Sequence, residues 1–178
     1  MKHPEISKTE EAITFTKEHF AKALAKQLNL VKVSSPLVVL DGTGINDDLN
    51  GIERPVSFPI RALKERKAVV VHSLAKWKRL RLKELGVEAG KGILTDMRAL
   101  RPDEDYTPLH SIYVDQWDWE KHIDHEERTL TYLKNSVTKI YEALKETEKV
   151  IQNEYPTIKA ILPENITFIH AEELLQQY

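Results

Sequence analysis

A long run of regularly spaced aliphatic residues in the second half of the chain is the feature that most limits its fold. The residues recur at intervals of three, four and seven, at Leu130, Leu133, Val137, Ile140, Leu144 and Ile151. This spacing places them on one stripe of an α-helix. We therefore predict a helix from about Glu126 to Tyr155, which Pro156 ends.

The N-terminal segment predicts a second long helix, from about residue 8 to Leu28. Its apolar residues recur at one or two helical turns, at Ile13, Phe20, Leu24 and Leu28. Ser7 and Glu10 precede this pattern with the three-residue spacing of a capping box. Shorter helices are predicted at residues 73–85, where basic residues are frequent, and at residues 171–178.

The region between the two long helices predicts short strands separated by turns. The strands are expected at residues 56–60, 68–71, 92–100 and 109–119, with a further short strand at 166–169. Residues 30–40 predict an edge or kinked strand because Pro36 interrupts them, and the Gly-, Asn- and Asp-rich residues 41–51 predict a long loop. Since neighbouring strands rarely alternate with helices, we expect an α+β fold with an antiparallel sheet flanked by helices, in one domain over residues 1–178.

Charge balance and the lack of cysteine narrow the classes of function. The chain has 26 Lys and Arg against 28 Asp and Glu, whereas proteins that wrap nucleic acid usually carry a strong basic excess. No cysteine occurs, which excludes disulfides, thiolate catalysis and cysteine-ligated zinc. No stretch has the length of a membrane span and the N-terminus lacks the apolar core of a signal peptide, so we expect a cytoplasmic location.

Polar residues alternate with tryptophans near the end of the last long predicted strand. On a strand, Gln116 and Asp118 share one face, while Asp115, Trp117 and Trp119 share the other. An amide beside a carboxylate can bind an ammonium group and a neighbouring carboxylate or amide. The pattern fits equally a solvated face with the tryptophans packed in the core.

Arginines and acids at two predicted turns are further candidates. Arg101 ends a predicted strand before a proline-led turn, which suits capture of a phosphate or carboxylate, or a surface ion pair with the nearby acids. Arg98 lies an odd interval away and cannot face the same ligand on a regular strand. Asp47 and Asp48 can position an amine or bind a metal, although adjacent acids in a loop more often form a turn. Their spacing does not match a calcium-binding EF-hand loop.

A strand-to-helix junction at His72 and Ser73 offers backbone N–H groups to an anion, and a following lysine can add a fixed charge. Five basic residues lie between Lys76 and Lys83. They form either a nucleic-acid patch or, more commonly, a solvated helix surface. A lone histidine such as His72 is more often structural than a ligand.

The motifs occur in an order that is more specific than any one of them. The strings DGTGINDDLNG, VVHSLAKWKR, ALRPDED, PLHSIYVDQWDWEKHI and FIHAEELLQQY closely resemble the ammonia-dependent asparagine synthetases, also called aspartate–ammonia ligases. The resemblance covers essentially the whole chain. It implies a fold similar to the catalytic domain of class II aminoacyl-tRNA synthetases and a homodimer. It also implies conversion of aspartate, ATP and ammonia into asparagine, AMP and pyrophosphate through a β-aspartyl-adenylate.

The resemblance also implies roles for individual residues. Asp47, Arg101 and Gln116 are expected to be catalytic: Asp47 holds or deprotonates the incoming ammonium, and Arg101 binds the α-phosphate. Lys78 is expected to contact the aspartate substrate, and Gln116 with Asp118 to recognise its polar groups. The segment around Pro36 resembles the class II dimerisation motif. The same pocket is expected to be lined by His72, Ser73 and Ser111.

Members of this family continue for a second half of comparable length, which this chain lacks. The resemblance places there the carboxylates that bind Mg²⁺, a glycine-rich segment at the adenine pocket and the motif-three arginine that binds ATP. We therefore expect no metal site in this chain and little or no synthetase activity from it alone. The alternatives are a truncated, non-catalytic relative that binds an amino acid or a protein partner, and nucleic-acid binding through residues 76–83.

Overall fold

A computed structural model describes residues 4–108 and 110–177 of the chain. In chain order the elements are α1 (Pro4–Leu28), β1 (Leu30–Lys32), β2 (Val38–Leu40), β3 (Ser57–Ile60), β4 (Arg66–Val70), α2 (Ala75–Glu84), β5 (Gly92–Leu100), β6 (Tyr113–Lys121), α3 (Leu130–Glu154) and α4 (Ala171–Gln177). They fall into two compact units, one from the chain up to Leu28 and from Asp124 onward, the other from Asn29–Ile123. That the 178 residues form one domain stays a prediction.

Helices α1 and α3 pack against each other in the first unit. Most of the apolar stripe predicted for α3 is nevertheless exposed, at Leu130, Leu133, Val137 and Leu144. Leu24 and Leu28 of α1 are buried, as are Ala143 and Thr147 of α3. The capping box predicted for Ser7 is wrong, because α1 already includes Pro4. Ser7 lies inside the helix, where its hydroxyl donates to Glu11 Oε1 at 3.0 Å.

Helix α3 begins later than predicted because the residues before it form a separate turn. His125–Glu127 is a short 3-10 helix with a capping box between Asp124 and Glu127. Thr129 then caps α3, since its hydroxyl oxygen accepts a hydrogen bond from the Tyr132 N–H at 3.2 Å. Among the described residues, no helix is both long and apolar enough to cross a membrane.

The strand predicted at residues 166–169 is wrong, since no strand follows β6 in the part of the chain that the structure describes. Side chains of α3 bind the preceding segment instead. The Glu148 carboxylate accepts hydrogen bonds from the N–H groups of Ile161 and Leu162, at 2.7 and 2.9 Å. Lys145 donates to the Leu162 carbonyl at 3.2 Å.

Six strands in the second unit form two three-stranded sheets, with orders β1-β5-β6 and β2-β4-β3. All pairs are antiparallel except β1 with β5. The single strand predicted over residues 30–40 is in fact two strands, β1 and β2, in different sheets. Pro36 lies between them. The α+β class is confirmed, and α2 packs against β5 and β6 within this unit.

Gly92 allows β1 and β6 to approach β5 from both sides. A Cβ at this position would come within 2.4 Å of the Glu120 carbonyl oxygen and 2.6 Å of the Leu30 side chain. Glycine is therefore the residue that permits this approach. Strand β6 begins at Tyr113, later than the predicted residue 109, because Thr107 and His110 first pair in a tight turn.

A small apolar core lies where β4 ends and α2 begins. It is formed by buried side chains from β5 and from the junction, at Val71, Leu74, Met97 and Ala99. Val39, Trp77 and Val114 pack around it half-buried. Because these residues come from both sheets and from α2, the core fixes the junction at His72 and Ser73 relative to β5 and β6.

Candidate active site

The junction between β4 and α2 is held by the glycine-rich loop. The backbone N–H of His72 donates to Asn46 Oδ1 at 2.8 Å, and the Asp47 N–H donates to the Ser73 carbonyl at 3.4 Å. Asn46 and His72 are both buried. These two bonds place Asp47 beside the start of α2, where Lys76 Nζ lies 3.7 Å from Asp47 Oδ1. Asp48 has the turn-forming role, because its carbonyl accepts from the Gly51 N–H at 2.7 Å.

The His72 imidazole is fully buried, and neither of its nitrogens has a hydrogen-bond partner within the described ranges. Buried polar atoms are nearly always hydrogen-bonded, so this ring is an exception in the fold. The His72 carbonyl, in contrast, accepts a hydrogen bond from Arg101 Nε at 3.3 Å. The residue therefore connects the loop at Asn46 with the arginine that follows β5.

Arg101 is fixed at both its backbone and its side chain. Its N–H donates to the Ile112 carbonyl at 2.8 Å, and its Nη1 lies 3.9 Å from Glu104 Oε2. Its side chain is 23% exposed. The guanidinium is thus oriented through Nε, and only a long contact ties it to an acid. Arg98 is exposed at the position after buried Met97, so the two arginines do not share a face.

A buried ion pair lies under the middle of α2. Lys78 Nζ donates to Asp118 Oδ1 and, at 3.1 Å, to the Trp119 carbonyl, and it lies 3.8 Å from Glu120 Oε2. The Lys78 side chain is 6% exposed and that of Asp118 is 16% exposed. Arg79 Nε lies 3.6 Å from Glu120 Oε1, so two basic side chains balance the two carboxylates.

Gln116 and Asp118 share a face, as the alternation predicts, and they lie opposite buried Met97 and Thr95 of β5. Asp118 is not a solvated carboxylate, because it binds Lys78 from α2. Gln116 is exposed, and its side chain makes no hydrogen bond within residues 4–108 and 110–177. The tryptophans on the other face are only half-buried.

Ser111 lies in a separate cavity of about 440 Å³, formed by the turn before β6. The cavity is lined by Tyr106, Thr107, Pro108, His110 and Ser111. The Ser111 hydroxyl accepts a hydrogen bond from the Tyr113 N–H at 3.2 Å. The structure therefore brings Asp47, His72, Ser73 and Arg101 into one hydrogen-bonded group and pairs Lys78 with Asp118. It links neither Gln116 nor Ser111 to these groups by a side-chain bond among the described residues.

Three residues of this region are not among those predicted from the sequence. The position of Glu120 could have been predicted, since it is two residues from Asp118 and therefore on the same face of the strand. Asn46 adjoins Asp47 but has no distinctive spacing. Asp103 lies in the acidic turn after Arg101, and no local pattern indicates its ion pair with Arg54, which is 49 positions away in the chain. No group of three or more His, Asp or Glu residues that could hold a metal ion occurs in the described part of the chain.

The fold is that of a class II aminoacyl-tRNA synthetase catalytic domain. The structure is similar to that of PylSc, a pyrrolysyl-tRNA synthetase from Desulfitobacterium hafniense, with a TM-score of 0.53 and 19% sequence identity. The match covers 75% of this chain and 45% of that chain. At this sequence identity the structural similarity shows the fold alone, and the family has to be shown by sequence comparison.

The family model of aspartate-ammonia ligase matches residues 7–178. An aspartate–ammonia ligase of Clostridium perfringens is 56% identical over 173 residues, which are 97% of this chain and 52% of the relative. One of Bacteroides thetaiotaomicron is 53% identical over 174 residues, which are 98% of this chain and 50% of the relative. The chain belongs to the aspartate–ammonia ligase family. It spans about half the length of the curated relatives it matches.

Proposed function

We propose that this chain supplies the aspartate-binding half of an enzyme that makes asparagine from aspartate, ATP and ammonia, with AMP and pyrophosphate as the other products. The observation that carries the proposal is the family match over residues 7–178. The site is consistent with it, because a buried lysine paired with carboxylates, an oriented arginine and a loop aspartate belong to the same compact unit, Asn29–Ile123. A second half like that of the relatives would complete the ATP site.

The Lys78 group suits the two charges of a free amino acid. Lys78 can contact a substrate carboxylate, and Asp118 with Glu120 can accept the substrate ammonium group. Both partners are already held in place by α2 and β6, so little ordering is needed when the substrate binds. In this proposal Gln116 recognises a further polar group of the substrate, and Ser73 and Ser111 line the pocket.

Two chemical steps follow from the proposed substrates. An oxygen of the aspartate side-chain carboxylate attacks the α-phosphorus of ATP, and the bond to pyrophosphate breaks. Arg101 stabilises the charge on the α-phosphoryl oxygens, since its Nε is already fixed on the His72 carbonyl. Ammonia then attacks the carbonyl carbon and AMP leaves, while Asp47 holds the incoming ammonium and takes its proton.

Magnesium is expected to neutralise phosphate charge in such a reaction. The described residues contain no three-residue metal cluster, so they do not by themselves fit a Mg²⁺ site. We assign its ligands to the part of the family beyond these 178 residues, and no step above is routed through the ion. We also propose a homodimer formed through the segment around Pro36, which a light-scattering mass of two chains would support, and a cytoplasmic location.

The test is aspartate binding by isothermal titration calorimetry to the 178-residue protein. Asp118→Asn keeps the shape of the residue but removes the charge that receives the substrate ammonium, so we expect at least a tenfold weaker affinity. Glu84→Gln removes an acid of the exposed Arg81–Glu84 pair, which is 3.1 Å long, and serves as the matched control. Wild-type protein that binds no aspartate, or equal affinity in both variants, would contradict the proposal.

The alternative function is a truncated relative that binds an amino acid or a protein partner without catalysis. Aspartate binding without pyrophosphate exchange, even after the second half of a relative is added, would select this alternative. The third hypothesis is nucleic-acid binding through residues 76–83. The net charge of -2 argues against it, and salt-dependent binding of tRNA would support it.

A further inference from the structure

One surface ion pair joins the two segments that carry Asp47 and Arg101. Arg54 follows the glycine-rich loop, and Asp103 lies two residues after Arg101. Arg54 Nε donates to Asp103 Oδ1 and Oδ2 at 3.1 and 3.2 Å, and Arg54 Nη2 donates to Oδ1. The Arg54 backbone N–H also donates to Oδ2, at 2.7 Å. A single carboxylate therefore binds both the guanidinium and the backbone of Arg54.

Both segments are already ordered close to this pair. On the loop side, the Glu53 carboxylate accepts hydrogen bonds from the N–H groups of Asn50 and Ile52, at 3.1 and 3.3 Å. On the other side, the Glu104 N–H donates to the Arg101 carbonyl at 3.1 Å and closes a turn around Asp103. The ion pair thus connects two preformed turns rather than two flexible chains, which lowers the entropy lost in forming it.

The pair is one of several attachments of the loop, whose two ends are also bonded to β4 by the Asp41 N–H with the Lys67 carbonyl, at 3.0 Å, and the Val70 N–H with the Val56 carbonyl, at 2.8 Å. Asn46 and Asp47 attach its first part to His72 and Ser73, and Arg54 attaches its far end to the turn after Arg101. Exposed ion pairs usually contribute little, but this one has fork-like arginine geometry and an added backbone hydrogen bond. The residues it joins are 49 positions apart in the chain, so it restricts relative movement that local bonds leave free.

We propose that Arg54 and Asp103 are positioning residues, which hold the loop with Asp47 at a fixed place relative to Arg101. The roles of Asp47 and Arg101 themselves rest on the proposed function. The hydrogen bonds from Arg54 keep the pKa of Asp103 well below its ordinary value, at about 2, so this carboxyl is ionised at neutral pH. Neither residue needs to touch a substrate for its loss to impair the site.

Amide hydrogen exchange, followed residue by residue by NMR, tests the attachment directly. The reporters are the N–H groups of Asp47 and Gly51, which bond to Ser73 and Asp48. We expect Asp103→Asn to speed exchange at both by roughly tenfold or more, because the loop is released from the turn after Arg101. Asp103→Glu keeps the charge and is expected to restore rates to within about threefold of wild type.

Glu88→Gln is the matched control, since it removes another exposed acid of the same unit that pairs with a basic residue, Lys91, at 2.7 Å. It is expected to leave both reporter amides at wild-type rates. Wild-type exchange in Asp103→Asn would overturn the proposal. So would equal acceleration in Glu88→Gln, since the effect would then be general to loss of an ion pair.

A kinetic measurement separates this proposal from the proposed function. In protein reconstituted with the second half of a relative, we expect Asp103→Asn to raise the KM for ATP severalfold while aspartate affinity stays within twofold, because the variant displaces the phosphate-binding arginine. Unchanged KM and kcat would overturn the positioning role. If wild type neither binds aspartate nor exchanges pyrophosphate, the proposed function fails, and the reporter amides alone then decide whether the pair holds the loop.

Discussion

At the scale of single residues, the buried ammonium of Lys78 is the group on which the site depends most. It lies beneath α2 and is bound by Asp118, by the Trp119 carbonyl and more distantly by Glu120. Burying a charge is tolerated only when partners replace its water. The same partners that satisfy Lys78 are the ones proposed to exchange with the charges of the substrate.

Lys78→Met is expected to destabilise the protein by about 3 kcal/mol, because the carboxylate of Asp118 loses its cation and that of Glu120 keeps only Arg79. Urea unfolding followed by circular dichroism measures this change. Asp118→Asn added to Lys78→Met removes one of the two charges and is expected to recover part of the loss. Stability of Lys78→Met within about 0.5 kcal/mol of wild type would show that the pair contributes little to the fold.

The titration of Asp103 is a second test at this scale. Its pKa lies at about 2 because the hydrogen bonds from Arg54 favour the ionised form. A folded-state pKa below the ordinary 3.8 means that the stabilisation is present above that pH and is lost as pH falls toward 2. In Arg54→Ala the midpoint, followed by carboxyl-carbon NMR, should rise toward 3.8. A midpoint that stays near 2 would assign the shift to another cause.

Relations between neighbouring residues can be predicted from the sequence, whereas contacts between distant residues cannot. Strand alternation predicts correctly that Gln116 and Asp118 share a face, because that relation depends only on neighbouring positions. The pairing of Lys78 with Asp118 joins residues 40 positions apart, and that of Arg54 with Asp103 joins residues 49 apart. No local pattern encodes such contacts, so they follow only from the way the elements pack.

At the scale of secondary-structure elements, the small core at the end of β4 connects stability to the site. Met97 is 1% exposed and packs with Val71 and Leu74, which flank His72 and Ser73 in the chain. A cavity here would loosen the junction that receives Asn46 and Asp47 from the loop. Function and folding are therefore expected to weaken together when this core is altered.

Met97→Ala should cost about 2–4 kcal/mol of unfolding free energy, since it removes a fully buried side chain and leaves a cavity. Chemical denaturation gives the value directly. Ile161→Ala is the control, because Ile161 is 87% exposed and its loss should change stability by less than about 0.5 kcal/mol. Equal effects of the two substitutions would contradict the assignment of Met97 to the core.

Elements with a strong repeating pattern are predicted well, and those decided by distant partners are not. The stripes of α1 and α3 identify both long helices, and β5 has its predicted bounds, Gly92–Leu100. The predicted strand at 166–169 is wrong, and the backbone before it is bonded to α3: Glu148 accepts a hydrogen bond from the Ile161 N–H, and Lys145 donates one to the Leu162 carbonyl. Helix α3 begins a few residues later than predicted because the short 3-10 helix at His125–Glu127 has a capping box of its own.

At the scale of the whole molecule, the chain belongs to the aspartate–ammonia ligase family and spans about half the length of the relatives it matches. The described residues hold candidate groups for aspartate, for one phosphate and for ammonia. They hold no three-residue metal cluster. We therefore propose that this chain recognises the amino acid, and that sequence like the second half of the relatives completes the ATP site.

The measurement that tests this division most directly is pyrophosphate–ATP exchange that depends on aspartate. It would use the 178-residue protein alone and the same protein mixed with the second half of the Clostridium perfringens relative. We predict no exchange above background from the chain alone and measurable exchange in the mixture, abolished by Arg101→Ala. Exchange by the chain alone, or a mixture that stays inactive although wild-type protein binds aspartate, would contradict the account.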